Sequence, residues 1–307
     1  MNIPITQSKE WEQLQNDLNE TSFFESTTDY QYLAIKKKIP GGNYLYLPYG
    51  PVADTEENFK KSLKSLTELA NKENSTFIRV EPLNPEYTHH LPKSSQKSVD
   101  LNPKETWILD LDKEEDSFKK KLPSRLLRYY KNREKNGIII KKSHNPSDIK
   151  HLLKLQKALA EKKKISTFSE NYLKTELSQP FSTLYLVIHQ DKETNNEEIV
   201  AAGLVFDYGT TRYNLQGAQS EQGRKLHATG ILTIELIMDA REKGLKTFDF
   251  WGIAPEGAPS THPWAGFTSF KKTFDGHEVK HAGTYDIVLK PFKYKLYQFM
   301  RKIRRLI

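Results

Sequence analysis

The order in which apolar periodicities follow one another most constrains how this chain can fold. After a helical pattern over Pro146–Glu161 and another over Ser169–Leu177 come three strand-like runs, Leu184–His189, Ile199–Phe206 and Tyr213–Leu215. Polar turns at Asp191–Glu198 and Tyr208–Thr211 separate them. An amphipathic helix over Ile231–Lys243 stops at Gly244, a strand follows at Thr247–Phe250, and Val279–Leu289 reads as one further strand. A basic helix begins near Pro291. The first half is a looser version of the same alternation. Strands Leu33–Ile39 and Tyr44–Leu47 flank the turn Pro40–Asn43, and a helix over Thr55–Glu73 precedes strands at Thr76–Val80 and Thr106–Leu111. Pro123 opens a basic helix expected to close at Asn136-Gly137, before a strand over Gly137–Lys142. Mixed sheets flanked by helices, seen twice, give an α/β (α+β) chain of two similar domains.

Composition narrows the possible chemistry. With no cysteine, disulfides, zinc ribbons and thiol catalysis are excluded, and a reducing cytoplasm suits the chain. No run approaches the roughly 18 apolar residues of a membrane span, and the opening MNIPITQSKEWEQ lacks the layout of a signal peptide. The net charge of +8 is unevenly spread. Between Ser117 and Lys142 ten Lys or Arg residues face a single acid, Glu134. The tail carries Lys290, Lys293, Lys295, Arg301, Lys302, Arg304 and Arg305 with no acid at all. Such fields draw phosphate-rich partners or anionic headgroups, while a solvated helix face is the plainer reading of each. His89-His90, His277 and His281 lack the spacing of a metal site, and no phosphate-cradling glycine loop or nucleophile elbow is visible.

At Gly266-Phe267-Thr268-Ser269-Phe270-Lys271-Lys272-Thr273-Phe274-Asp275-Gly276 an aromatic-Lys pair precedes a Phe-x-Gly turn, followed by Tyr285-Asp286-Ile287-Val288-Leu289. Together these resemble the Fem (FemABX) family of aminoacyl-tRNA-dependent peptidoglycan peptidyltransferases. Five further segments agree in order: Pro48–Val52, Trp107–Leu111, Arg125–Asn136 before Gly137, Tyr213–Ala218 and Phe248–Ile253. The resemblance implies two GNAT-like (acyl-CoA N-acyltransferase-like) domains with a substrate cleft between them, the first formed by 1–142 with 286–307 and the second by 143–285. It implies transfer of an amino acid from aminoacyl-tRNA to the stem-peptide amine of a peptidoglycan precursor, lipid-linked or UDP-linked, with no cofactor and no metal. The short turn Asp191–Glu198 leaves no room for the helical arm of some members, so the chain resembles the compact form. Tyr49 stands where many members carry a basic residue, and Phe168 falls near a phosphate-binding Arg of others.

Aminoacyl transfer starts from an activated ester, so the enzyme must mainly hold an amine against the carbonyl and stabilise the oxyanion. By resemblance Lys271 is the candidate cation and Asp110 the candidate carboxylate for the amine, with Asp112 a solvent-facing decoy. Phe270, Tyr172, Tyr213 and Trp251 are the candidate substrate contacts. Arg125, Arg128, Asn132 and Lys135 recur at helical spacing, fit to track the phosphates of an acceptor stem. Arg224 and Lys225, with His227, precede the helix at Ile231, whose start suits an anion. The final helix sets Phe292, Leu296, Phe299, Ile303 and Leu306 among basic residues. Two placements fit it: at rest on an anionic membrane, or docked on the first domain with its basic face outward. Two rival functions stay open. One is a GNAT enzyme using acyl-CoA, for which Gln219–Gly223 is poor in glycine; the other is a non-catalytic adaptor gripping tRNA or membrane. A protein N-terminus as acceptor is a third reading of the same fold.

Overall fold

The computed structural model describes residues 3–111, 115–163 and 167–306. They form two compact units, Met1–Glu105 with Lys280–Ile307, and Thr106–Val279. The division expected at 142/143 falls earlier because the strand ending at Asp110 bonds into the sheet of the second unit, so the basic segment belongs there.

The first unit begins with α1 (Lys9–Asp17), then β1 (Thr21–Ser26), β2 (Tyr30–Ile39), β3 (Gly42–Leu47) and β4 (Val52–Ala53). Helix α2 (Glu56–Lys72), β5 (Phe77–Val80) and β6 (Ser95–Lys97) follow. Thr55 caps α2 by accepting the Asn58 N–H at 3.2 Å, and Glu56 and Glu57 complement the positive end of the helix. Its stripe of Phe59, Leu63, Leu66 and Ala70 packs with Leu45, Leu47, Ile78 and Val80 of the sheet.

The second unit comprises β7 (Glu105–Asp110), α3 (Glu115–Lys121), α4 (Ser124–Lys131), β8 (Ile138–Ser143), α5 (Ile149–Lys163) and α6 (Glu170–Leu177). Strands β9 (Ser182–Gln190), β10 (Glu197–Tyr208) and β11 (Thr211–Gln219) come next, then α7 (Glu221–Lys225) and α8 (Ala228–Glu242). The unit closes with β12 (Thr247–Gly252), α9 (Ala265–Lys271) and β13 (His277–Lys280). The sheet order is β13-β7-β12-β11-β10-β9-β8. Strands β11 and β12 run parallel, and their pairing spans only Thr211–Tyr213 against Thr247–Asp249. Both continue beyond it, to Gln219 and Gly252, without pairing to each other. In open α/β sheets, ligands bind beyond the carboxyl ends of parallel strands.

Helix α4 ends a turn earlier than the sequence reading had it, at Lys131. Asn132 caps it, its side-chain amide donating to the Arg128 carbonyl at 3.0 Å, as short polar side chains do when they compete for the backbone. Lys135 therefore lies past the helix. Leu126 approaches α8 so closely that a Cβ on Gly230 would come within 2.5 Å of it, and the Tyr130 hydroxyl donates to Glu235 at 2.8 Å. Beneath α8, fully buried Arg212 holds Asp207 at 2.6 Å and Asp239 at 2.7 Å, and Asp239 also accepts from the Tyr185 hydroxyl and from Lys142.

The run expected as one strand over Val279–Leu289 is two strands in two sheets. Gly283, at a φ of +83°, breaks it, where a Cβ would meet Asp100 at 2.8 Å. The chain then enters the first unit as β14 (Tyr285–Val288), between β5 and β6 in the order β1-β2-β3-β5-β14-β6, with β4 on β2. Asp286 of β14 grips Arg79 of β5 at 2.7 and 2.8 Å, both side chains buried. Helix α10 (Pro291–Leu306) completes the unit.

Candidate active site

Strand β12 carries the centre of the site. Phe248 and Phe250 enter the core beside Phe274, so alternation turns Asp249 to the other face, where it is still only 7% exposed. Opposite β7 the register slips: Asp249 pairs with Ile108 and Gly252 with Thr106. Trp251 sits in this bulge at a φ of +65°, a conformation that bulky residues rarely adopt. The Asp249 carboxylate holds it there, accepting the Trp251 N–H at 2.7 Å. At the end of the bulge the Gly252 carbonyl accepts from Lys271 Nζ at 2.6 Å.

Lys271 is presented by α9, which is fastened to the exit of β12. The Ala254 N–H donates to Thr268 Oγ1 at 2.7 Å, and that hydroxyl donates to the Trp264 carbonyl at 2.9 Å. The Phe-x-Gly turn anchors the other end. Phe274 is buried, its carbonyl accepts from Trp107 Nε1 at 3.1 Å, and a Cβ on Gly276 would lie 2.4 Å from the Ile108 carbonyl. Only glycine fits so close to a neighbouring strand.

Burial pushes the Lys271 ammonium down to about 8, against the opposing pull of Asp249. Burial likewise pushes Asp249 up to about 7, partly offset by the Trp251 N–H and by the charge of Lys271. A carboxylate and a lysine titrating close together near neutrality, within reach of each other's field, are suited to trading protons.

Around them the structure gathers some of the candidate residues and not others. Tyr213 pairs with Asp249 across the parallel strands and meets Trp251 edge-on at 6.3 Å. Tyr172 joins through a buried chain: its hydroxyl bonds Glu176, which accepts from Gln216 at 3.3 Å, three residues beyond Tyr213. Burial pushes Glu176 up to about 8. Phe270, one of the candidate substrate contacts, packs on the core, edge-on to Phe274 at 5.4 Å.

Asp110 is separated from Lys271 by the ladder itself. It pairs with Thr247, four residues along β7 from Thr106, the partner of Gly252; that is about 13 Å of strand. Its neighbour is His277, at 3.8 Å. Asp112 lies outside the described residues. The carboxylate beside Lys271 is Asp249, not singled out in the sequence reading although the same signal marked it: an acid inside an apolar strand.

Arg125, Arg128, Lys135, Arg224 and Lys225 are all exposed. Arg224 pairs with Glu221 at 2.6 Å on the short helix α7, and α8 starts at Ala228 rather than Ile231. Arg125 lies over the Tyr129 ring at 5.6 Å, and that ring stacks on His227 at 4.2 Å, beside the start of α8.

Residues 174–302 match the FemAB family model. No curated protein matches the chain. Among solved structures, FemX superposes with a TM-score of 0.80 at 17% identity, covering 95% of this chain and 94% of its own. The L-PGS structure from Bacillus licheniformis superposes at 0.61 and 17% identity, covering 94% of each chain. A C-terminal (DUF2156) domain of a putative lysylphosphatidylglycerol synthetase from Agrobacterium fabrum superposes at 0.62 and 14% identity, covering 91% of this chain and 87% of that one. Residues 174–302 are thus similar to the FemAB family, and over nearly its whole length the chain shares the fold of FemX.

Proposed function

We propose that this chain is an aminoacyltransferase that moves an amino acid from aminoacyl-tRNA to the stem-peptide amine of a peptidoglycan precursor. The observation that carries the reading is the pairing of half-buried Lys271 with buried Asp249 at the carboxyl end of the parallel strands. Family membership and the FemX fold support the choice of donor and acceptor.

In this reading the acceptor amine attacks the ester carbonyl, forming the C–N bond as the C–O bond to the terminal ribose breaks. The Lys271 ammonium, held by the Gly252 carbonyl, keeps donors free for the developing oxyanion and for the departing ribose oxygen. Asp249, as the carboxylate, takes the proton that the amine sheds. Tyr213 and Trp251 flank the reacting groups. Exposed Arg125 and Arg128 of the same unit offer phosphate contacts.

The test is incubation with a charged tRNA pool and either a UDP-linked or a lipid-linked muropeptide, read by mass spectrometry. The expected result is a gain of an amino-acid mass on the stem peptide that depends on charging of the tRNA. Acylation from acyl-CoA without tRNA, or no gain with any charged pool, would overturn the proposal.

A further inference from the structure

Helix α10 docks on the first unit through the side opposite its most apolar stripe. Tyr294, 3% exposed, donates to Asp286 at 2.9 Å and meets Phe77 at 5.1 Å, while Tyr297 packs on Phe77 and Tyr44. Roughly opposite on the helical wheel, Phe292, Leu296, Phe299 and Ile303 recur at i, i+4, i+7 and i+11. They are 89%, 52%, 61% and 41% exposed. The stripe is bordered on one side by exposed Lys293, whose Nζ donates to the Gly41 carbonyl at a long 3.4 Å, and on the other by exposed Lys295 and Lys302, and residues 290–307 contain no Asp or Glu. The helix is thus docked on the first unit with these lysines outward, and its most apolar stripe is exposed along with them.

We infer that this face of α10 lies in the interface of an anionic lipid bilayer. Four large apolar side chains in one exposed row are costly in water, and their burial among acyl chains is favourable. Lysines on both borders let their stems follow the apolar surface while the ammonium groups meet lipid phosphates. That bordering charge favours an anionic surface over a second copy of this chain, which would set these lysines against each other. Among the described residues no helix is long and apolar enough to cross a membrane, so the contact is peripheral.

Vesicle co-sedimentation tests the inference without any substrate, and so separately from the transfer reaction. Binding to phosphatidylglycerol/phosphatidylcholine vesicles should exceed binding to phosphatidylcholine alone by on the order of 100-fold, the combined effect of three lysines at the surface. Phe292→Ser with Phe299→Ser should lower it at least about tenfold, with an unchanged thermal melt because both side chains are exposed. Lys293→Glu with Lys295→Glu and Lys302→Glu should abolish the preference for anionic vesicles. Equal binding to both vesicles, or to neither, would overturn it. So would serine variants that bind vesicles normally but lose tRNA affinity or a concentration-dependent dimer.

Discussion

Two aspartates of the second unit are almost equally buried and titrate in opposite directions. Asp239 is 5% exposed and Asp249 is 7% exposed. Burial works against both carboxylates. Around Asp239, hydrogen bonds from Lys142, Tyr185 and Arg212 overcome it and hold the group well below the usual carboxylate range. Around Asp249 a single backbone N–H and the field of Lys271 do not, and the group rises to about 7. Two things separate them: the Asp249 carboxyl is the more fully desolvated, and only one N–H is committed to it, against three side-chain donors around Asp239. Asp239 has its partners and locks α8 to the sheet, whereas Asp249 and Lys271 stay close to proton exchange.

Substitutions should separate the two settings, and the largest effect belongs to the structural one. Arg212→Ala removes the buried cation shared by Asp239 and half-buried Asp207, leaving them Lys142 and Lys243, and should cost about 3–5 kcal/mol in urea unfolding. Lys271→Met should slow transfer about 100- to 1000-fold, the usual loss for one oxyanion donor, with little change in the urea midpoint. Asp249→Asn should slow transfer by on the order of 100-fold while raising stability at pH 8. The raised pKa means that Asp249 contributes most to stability below about pH 4 and loses that contribution as pH climbs to about 7. Asp239 has the reverse sign: its contribution is present above about pH 4 and is lost as pH falls further, so Asp239→Asn should lower stability at neutral pH. The smallest effect is expected at Asp110. Asp110→Asn should change the rate by no more than about tenfold, since roughly 13 Å of strand separates it from the partner of Gly252; a loss equal to that of Asp249→Asn would put Asp110 back into the chemistry.

Much of the frame was legible in the sequence. The α2 stripe, the β2–β3 hairpin and the three strands after α6 follow from periodicity and turn residues, whereas these do not settle the return of the last strand and helix to the first unit. Helix α9 escaped because Gly266, Thr268 and Ser269 are weak helix formers, and its place is set by the Thr268 staple to β12 instead. The split of Val279–Leu289 escaped because its alternation is strand-like on both sides of Gly283, and only the two sheets decide where it breaks. At the site, resemblance pointed to Lys271, but its carboxylate partner depends on strand register and on the bulge at Trp251. Both are tertiary features, and they favour Asp249 over Asp110. The direction of the α10 stripe was undecidable for a like reason: two tyrosines, not the more apolar row, make the docking face.

The most direct measurement is the single-turnover rate of aminoacyl transfer as a function of pH, in the wild type and in Asp249→Asn. A carboxylate that must be ionised and a lysine that must be charged give a bell, rising through about pH 7 and falling through about pH 8. The two limbs belong to the coupled pair, and Asp249→Asn should lose the rising one. A wild-type rate that is flat from about pH 6 to 9, or a rising limb that survives in Asp249→Asn, would contradict the assignment of this pair to the chemistry.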